Sequence, residues 1–118
     1  MAQGVKRHAV YSASKAAITG MIKCLAMDLG ERQITVNCIA PGGIKTDMWE
    51  DYAKDYLPDG ENMSSEDINN RIAGMSALNR VGLPRDVAGV VALLASPEAQ
   101  WVTGQTIHVG GGAHMATA

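Results

Sequence analysis

From Ser12 to Leu29 the residues Ala13, Ala16, Ala17, Gly20, Met21, Cys24 and Leu25 recur at 3.6-residue spacing, which predicts a helix. Gly30 stands where a left-handed C-terminal cap is expected. The next stretch, "ITVNCIA", is β-branched and almost continuously apolar, the pattern of a strand covered on both faces, and it stops at Pro41-Gly42-Gly43. Residues 45 to 75 are polar and rich in Asp, Asn and Glu; Pro58-Asp59-Gly60 predicts a turn and a short helix is expected to begin at Ser64 or Ser65. Pro84 suits the first turn of a further helix whose face is Val87, Val90, Val91 and Leu94, and Ser96-Pro97 ends it. "TGQTIHV" then alternates like a short strand before Gly110-Gly111-Gly112. No repeat or low-complexity tract interrupts the pattern.

Strands separated by helices imply right-handed crossovers and a parallel sheet, an α/β layer architecture. Two strands make a poor parallel sheet, because such sheets are normally flanked by further strands and covered on both faces. Residues 1–118 are therefore expected to form a single partial domain, one end of a larger fold, and the few residues before the first helix are too short to supply missing strands.

Composition narrows the partners. The 118 residues carry 10 basic and 12 acidic side chains mixed along the chain, net −2, so no field of one sign points to nucleic acid or an anionic membrane. No basic start is followed by an apolar run, and no apolar stretch approaches the ~20 residues of a membrane span. A soluble, cytoplasmic protein is expected. Cys24 and Cys38 lie in apolar segments without metal-ligand spacing and are expected to be small buried thiols. His8, His108 and His114 share no ligand spacing either, so packed or exposed histidines are expected and no metal site.

Tyr11 and Lys15 raise a chemical question. Positions i and i+4 of a helix lie about 40° apart and ~6 Å along the axis, so both side chains can reach one reacting centre. An ammonium beside a phenol favours the phenolate, which fits the phenol for proton transfer. On spacing alone, a surface tyrosine and a solvated lysine remain the competing reading. Pro41-Gly42-Gly43 is similarly open: glycine at the carboxyl end of a parallel strand lets a ligand approach the backbone, and it also simply ends strands.

Four stretches in order, "YSASKAAI", "ITVNCIAPGGIKTDM", "NRVGLPRDVA" and "WVTGQTIHVGGG", resemble the C-terminal half of the short-chain dehydrogenase/reductase family, over nearly the whole chain. Within it, "APGGIKTDMW" followed by "DYLPDGENMSSEDI" is similar to the fungal polyhydroxynaphthalene reductases of melanin biosynthesis and related reductases of aromatic polyketides. The resemblance implies a Rossmann-like doubly wound parallel sheet, here without its N-terminal strands, and reduction of a carbonyl in a polyhydroxylated aromatic substrate. It implies that Tyr11 protonates the carbonyl oxygen while Lys15 holds the nicotinamide ribose and assists the phenol. Cofactor contacts would come from Tyr11, Lys15, Pro41, Gly42, Gly43, Ile44 and Thr46, with the backbone at Ile44 holding the carboxamide. NADPH is favoured and NADH stays open. Residues 45 to 75 become the substrate loop, in which Tyr56 matches a ring that lies over the substrate; Met48, Trp49 and Met75 are either substrate contacts or hydrophobic anchors. A homo-oligomer through the helix 12–29 is implied as well.

The pattern also departs from the family. Its glycine-rich phosphate loop, cofactor-selecting residue, Asn-rich motif and catalytic serine would all lie before Met1, Gly110 stands where the last strand commonly carries aspartate, and Ala116-Thr117-Ala118 runs past the usual end. A truncated product of a reductase gene is therefore expected. Three functional readings follow: part of an NAD(P)H-dependent reductase, a non-catalytic oligomerisation or interaction module, or an unstable fragment without activity.

Overall fold

The computed structural model describes residues 6–113. The chain is α/β, with helix α1 (Ala9–Leu29), strand β1 (Cys38–Pro41), helices α2 (Trp49–Tyr52), α3 (Ser65–Gly74) and α4 (Pro84–Leu94), and strand β2 (Thr106–Val109); short 3₁₀ turns join them. It divides into two compact units, one formed by the chain through Cys38 with Leu94–Ile107, the other by Ile39–Leu93 with the chain from His108 on. Cys38 N–H donates to the Gln105 carbonyl at 2.8 Å and Gly42 N–H to the Val109 carbonyl at 3.0 Å. Four residues along one strand match four along the other in the same direction, so β1 and β2 pair in parallel.

In the first unit α1 packs through Ile22 and Ala26, with Ile18, Thr19 and Leu29 half-buried. The expected apolar face is not the packed one: Ala13, Ala16, Ala17, Gly20, Met21, Cys24 and Leu25 are exposed. Small side chains surround this helix on every side, so the larger Ile18 and Ile22 decide which side buries most area. Cys24 lies opposite Ile22 and Ala26 and is exposed, while Cys38 is half-buried, so the two thiols are not the buried filler expected of them. Gly30 keeps right-handed helical angles (φ −58°, ψ −40°) because the helix tightens into a 3₁₀ turn over Gly30–Arg32; the left-handed residue is Gln33 (φ 58°), whose N–H donates to the Gly30 carbonyl at 2.9 Å.

The expected strand from Ile34 onward enters the ladder only at Cys38. Before it, side chains replace part of the ladder: Val36 N–H donates to Thr103 Oγ1 at 2.9 Å, Asn37 Nδ2 to the Val102 carbonyl at 2.8 Å, and Asn37 Oδ1 accepts from Gln105 N–H at 3.1 Å. Residues 38 to 40 are half-buried rather than covered on both faces, since among the described residues the sheet has two strands and each keeps an open edge.

The second unit has its own core: Trp49, Ala53, Leu57 and Ile68, against which Met63, Ile72 and Val81 pack. Ser64 is the N-cap of α3, its Oγ accepting from Asp67 N–H at 3.1 Å, and Glu66 and Asp67 occupy the first turn, where carboxylates suit the helix dipole. Ile68 and Ile72, four apart, then fall on one side and turn it towards α2. The turn expected at Pro58-Asp59-Gly60 is present, with Asp59 left-handed (φ 59°).

Candidate active site

Tyr11 and Lys15 lie in the first unit, on consecutive turns of α1. Counting along the helix, Tyr11, Lys15, Ile18, Ile22 and Ala26 share one side: the packed side of the helix carries the phenol and the ammonium at its N-terminal end. Lys15 Nζ sits over the Tyr11 ring, 5.5 Å from its centroid, a cation–π contact, and the ring meets His8 edge-to-face at 5.9 Å. His8 is held in turn by a 2.8 Å hydrogen bond between Nδ1 and the Lys6 carbonyl. Tyr11 keeps 53 % of its surface exposed, so the phenol is open to a reactant.

The remaining candidates belong to the second unit. Pro41, Gly42, Gly43, Ile44 and Thr46 form the loop at the carboxyl end of β1, held from three sides. Gly110 presses on it first: a Cβ on Gly42 would lie 2.8 Å from the Gly110 Cα, and main chain yields less than a side chain, so the strand ends can meet this closely only without a side chain at 42. A Cβ on Gly110 would stand 3.3 Å from the Gly42 Cα, tighter than an ordinary van der Waals contact. Gly82 forms the second hold, accepting from Lys45 N–H and donating to the Gly43 carbonyl, each at 2.9 Å, as an isolated parallel bridge to Ile44. Trp49 and Ile72 form the third, packed where a Cβ on Gly43 would be 3.3 Å from Trp49 Cη2 and 2.8 Å from Ile72 Cγ2.

The bridge has a chemical consequence. In parallel pairing the neighbours of the bridged residue make its two bonds, so the N–H and C=O of Ile44 point to the opposite edge. One donor and one acceptor side by side match a primary carboxamide, and exposed Gly42 and Gly43 leave the approach unshielded. Thr46 adds an exposed hydroxyl, and its carbonyl accepts from Trp49 N–H at 2.9 Å.

Gly82 is itself anchored by the start of α4. Asp86, third residue of that helix, accepts from the Leu83 N–H at 2.7 Å, half of a capping box, and takes Arg80 in a two-pronged bridge of 2.7 and 2.8 Å. The Arg80 bond, then the Leu83 N–H, hold the Asp86 carboxyl well below the usual carboxylate range. A folded pKa below the unfolded value of ~3.9 stabilises in full above that value and is lost as pH falls through the folded one. The stability difference between wild type and Asp86→Asn is thus expected to shrink as pH drops below about 4, read from urea unfolding at pH values on both sides of that point. An equal difference at every pH would sink this account.

Of the proposed substrate-loop residues, Met48, Tyr56 and Met75 are exposed (64, 54 and 55 %), whereas Trp49 is buried and holds the unit together. Its indole Nε1–H donates to Asn69 Oδ1 at 2.6 Å. Neither this pair nor the Gly42–Gly110 and Ile44–Gly82 contacts were among the sequence expectations. A shallow concavity lined by Pro58, Asp59, Met63, Asp67, Asn70 and Arg71 contains none of the candidates. No helix among the described residues is long and apolar enough to cross a membrane.

Residues 1–114 match a family model described as enoyl-(acyl carrier protein) reductase. The chain is 53% identical over 111 residues to the versicolorin reductase stcU of Emericella nidulans, covering 94% of this chain and 42% of that protein. It is 50% identical over 115 residues to a tetrahydroxynaphthalene reductase of Pyricularia oryzae, covering 97% of this chain and 41% of that protein. A crystal structure of a short chain dehydrogenase family protein from Francisella tularensis superposes with a TM-score of 0.81 at 31% identity, over 93% of this chain and 45% of that one. The chain thus spans about two-fifths of the length of the curated relatives it matches.

Proposed function

Because this chain belongs to the short-chain dehydrogenase/reductase family, we propose that it supplies the C-terminal half of an NAD(P)H-dependent reductase acting on the keto tautomer of a hydroxynaphthalene-like aromatic. The observation that carries the reading is the Tyr11–Lys15 pair: a solvent-open phenol with an ammonium over its ring, on one helix side. When bound, the cofactor, NADPH by preference, supplies the hydride. Tyr11 gives its phenolic proton to the substrate's carbonyl oxygen, and the ammonium of Lys15 offsets the negative charge left on the phenol while binding ribose hydroxyls. The N–H and C=O of Ile44 would hold the carboxamide, with Pro41, Gly42 and Gly43 giving access and Thr46 a further hydroxyl. Met48, Tyr56 and Met75 offer polarisable and aromatic surface to a flat substrate. The protein is proposed to be cytoplasmic.

The test is oxidation of NADPH, with NADH in parallel, on adding a polyhydroxynaphthalene keto tautomer to the full-length reductase carrying these residues. Oxidation independent of the aromatic would refute the reading. Tyr56→Ala should weaken binding of the aromatic by ~0.5 to 1.5 kcal/mol beyond the area lost, with cofactor affinity nearly unchanged. Titration of a substrate analogue and of NADPH on the same variant checks this; a matching loss in both would remove Tyr56 from the substrate site.

A second reading draws on the exposed face of α1, where Ala13, Ala16, Ala17 and Gly20 permit close approach of another helix. In it the chain pairs with a second copy through the helix 12–29, as part of a homo-oligomeric reductase or as a non-catalytic interaction module.

A further inference from the structure

We propose that Trp49 and Asn69 are positioning residues that hold the Tyr56 segment against the loop after β1; the functional part of this proposal rests on the reading just given. Trp49 opens α2 and is only 9 % exposed. Its ring edge packs on Gly43 beside Ile72, and its main-chain N–H binds the Thr46 carbonyl at 2.9 Å, so it is joined directly to the candidate cofactor loop. On its other side it belongs to the core with Ala53, Leu57 and Ile68.

Tyr56 lies between two members of that core. Ala53 and Leu57 are 5 and 7 % exposed, while Tyr56, on the 3₁₀ turn Ala53–Tyr56, is 54 % exposed. The flanking anchors thus set where the ring is presented, and Trp49 sets the anchors. What fixes Trp49 is Asn69 on α3, whose Oδ1 accepts the indole N–H at 2.6 Å. A second bond, Ser65 Oγ to Glu50 Oε2 at 3.2 Å, ties the same two helices together at the surface. An indole N–H in a core needs a partner, and leaving it without one costs the full desolvation of that group. Removing the Asn69 acceptor therefore favours states in which α2 leaves its seat, and the Tyr56 segment leaves with it.

Three variants test this: Asn69→Leu removes the acceptor, Trp49→Phe removes the donor and keeps a ring, and Asn69→Asp restores an acceptor. The first readout is amide hydrogen exchange on the 118-residue chain itself. Exchange over residues 50 to 63 is expected to quicken about tenfold in Asn69→Leu and Trp49→Phe, to return towards wild type in Asn69→Asp, and to stay unchanged in α1. Unchanged exchange over residues 50 to 63 overturns the proposal, whatever the protein catalyses. The second readout is steady-state kinetics of the full-length reductase. KM for the aromatic is expected to rise several-fold in Asn69→Leu and to recover in Asn69→Asp, with a smaller loss of cofactor affinity because Gly82 and Gly110 still hold the loop after β1, a split that a merely structural role would not give. An active wild type whose Asn69→Leu variant keeps the wild-type KM also overturns it. Absence of turnover in the wild type refutes the reductase reading alone, and hydrogen exchange then decides whether Trp49 and Asn69 hold the segment.

Discussion

Tyr11→Phe in the full-length reductase is expected to lower the rate of carbonyl reduction by ~10²-fold or more, while NADPH binds nearly as before. The substitution removes one hydroxyl and keeps the ring, so the contacts with His8 and with the Lys15 ammonium survive. Neither of those groups is buried in a core that the change could disturb, as Tyr11 is half exposed and stands beyond the Ile22 and Ala26 contacts that pack α1. On the proposed reading, what is lost is the proton donor. Without it the developing alkoxide must take a proton from water that is not positioned for the transfer. A general acid is needed only as negative charge appears on oxygen, so the loss falls on kcat and kcat/KM together, with cofactor affinity as the internal control.

Lys15→Met is expected to act more broadly, lowering turnover and NADPH affinity by about tenfold or more each, the scale of a lost hydrogen bond to a charged group. Methionine keeps most of the length of the lysine stem, so helix packing is spared; the lost element is the charge 5.5 Å from the Tyr11 centroid. If one ammonium serves both phenol and ribose, the two losses appear together and neither is recovered by saturating NADPH alone. A variant that bound NADPH normally and lost only turnover would leave Lys15 to the phenol and remove it from cofactor binding. Steady-state reduction and cofactor titration on one preparation separate these outcomes.

What the sequence made legible was local. The Tyr11–Lys15 pair, the N-cap at Ser64, the turn at Asp59 and the start of α4 at Pro84 all depend on residues a few positions apart, and each is where its spacing predicts. The side on which α1 packs was not legible, because alanines and glycine surround it and the choice depends on distant chain, such as Gly104 (φ 70°) lying against Ala26. The shortening of β1 has the same origin, since Thr103 and the Asn37 side chain take up bonds that a longer ladder would use. In the candidate site, Pro41-Gly42-Gly43 could be placed at a strand end, but not the reason for each glycine. Gly42 answers to Gly110, and Gly43 to Trp49 and Ile72, contacts that no local periodicity records. Trp49 carried two readings in the sequence; the 2.6 Å bond to Asn69 and the packing on Gly43 favour the anchor.

The most direct test of the central claim is steady-state reduction of a polyhydroxynaphthalene keto tautomer by wild-type and Tyr11→Phe full-length reductase, from about pH 6 to about pH 9, with NADPH titrated on the same samples. The account predicts aromatic-dependent NADPH oxidation by the wild type, a loss of ~10²-fold or more in the variant throughout that range, and closely similar NADPH affinities. Near-wild-type turnover by Tyr11→Phe across the range would contradict it and leave Tyr11 as no more than the first turn of a packed helix.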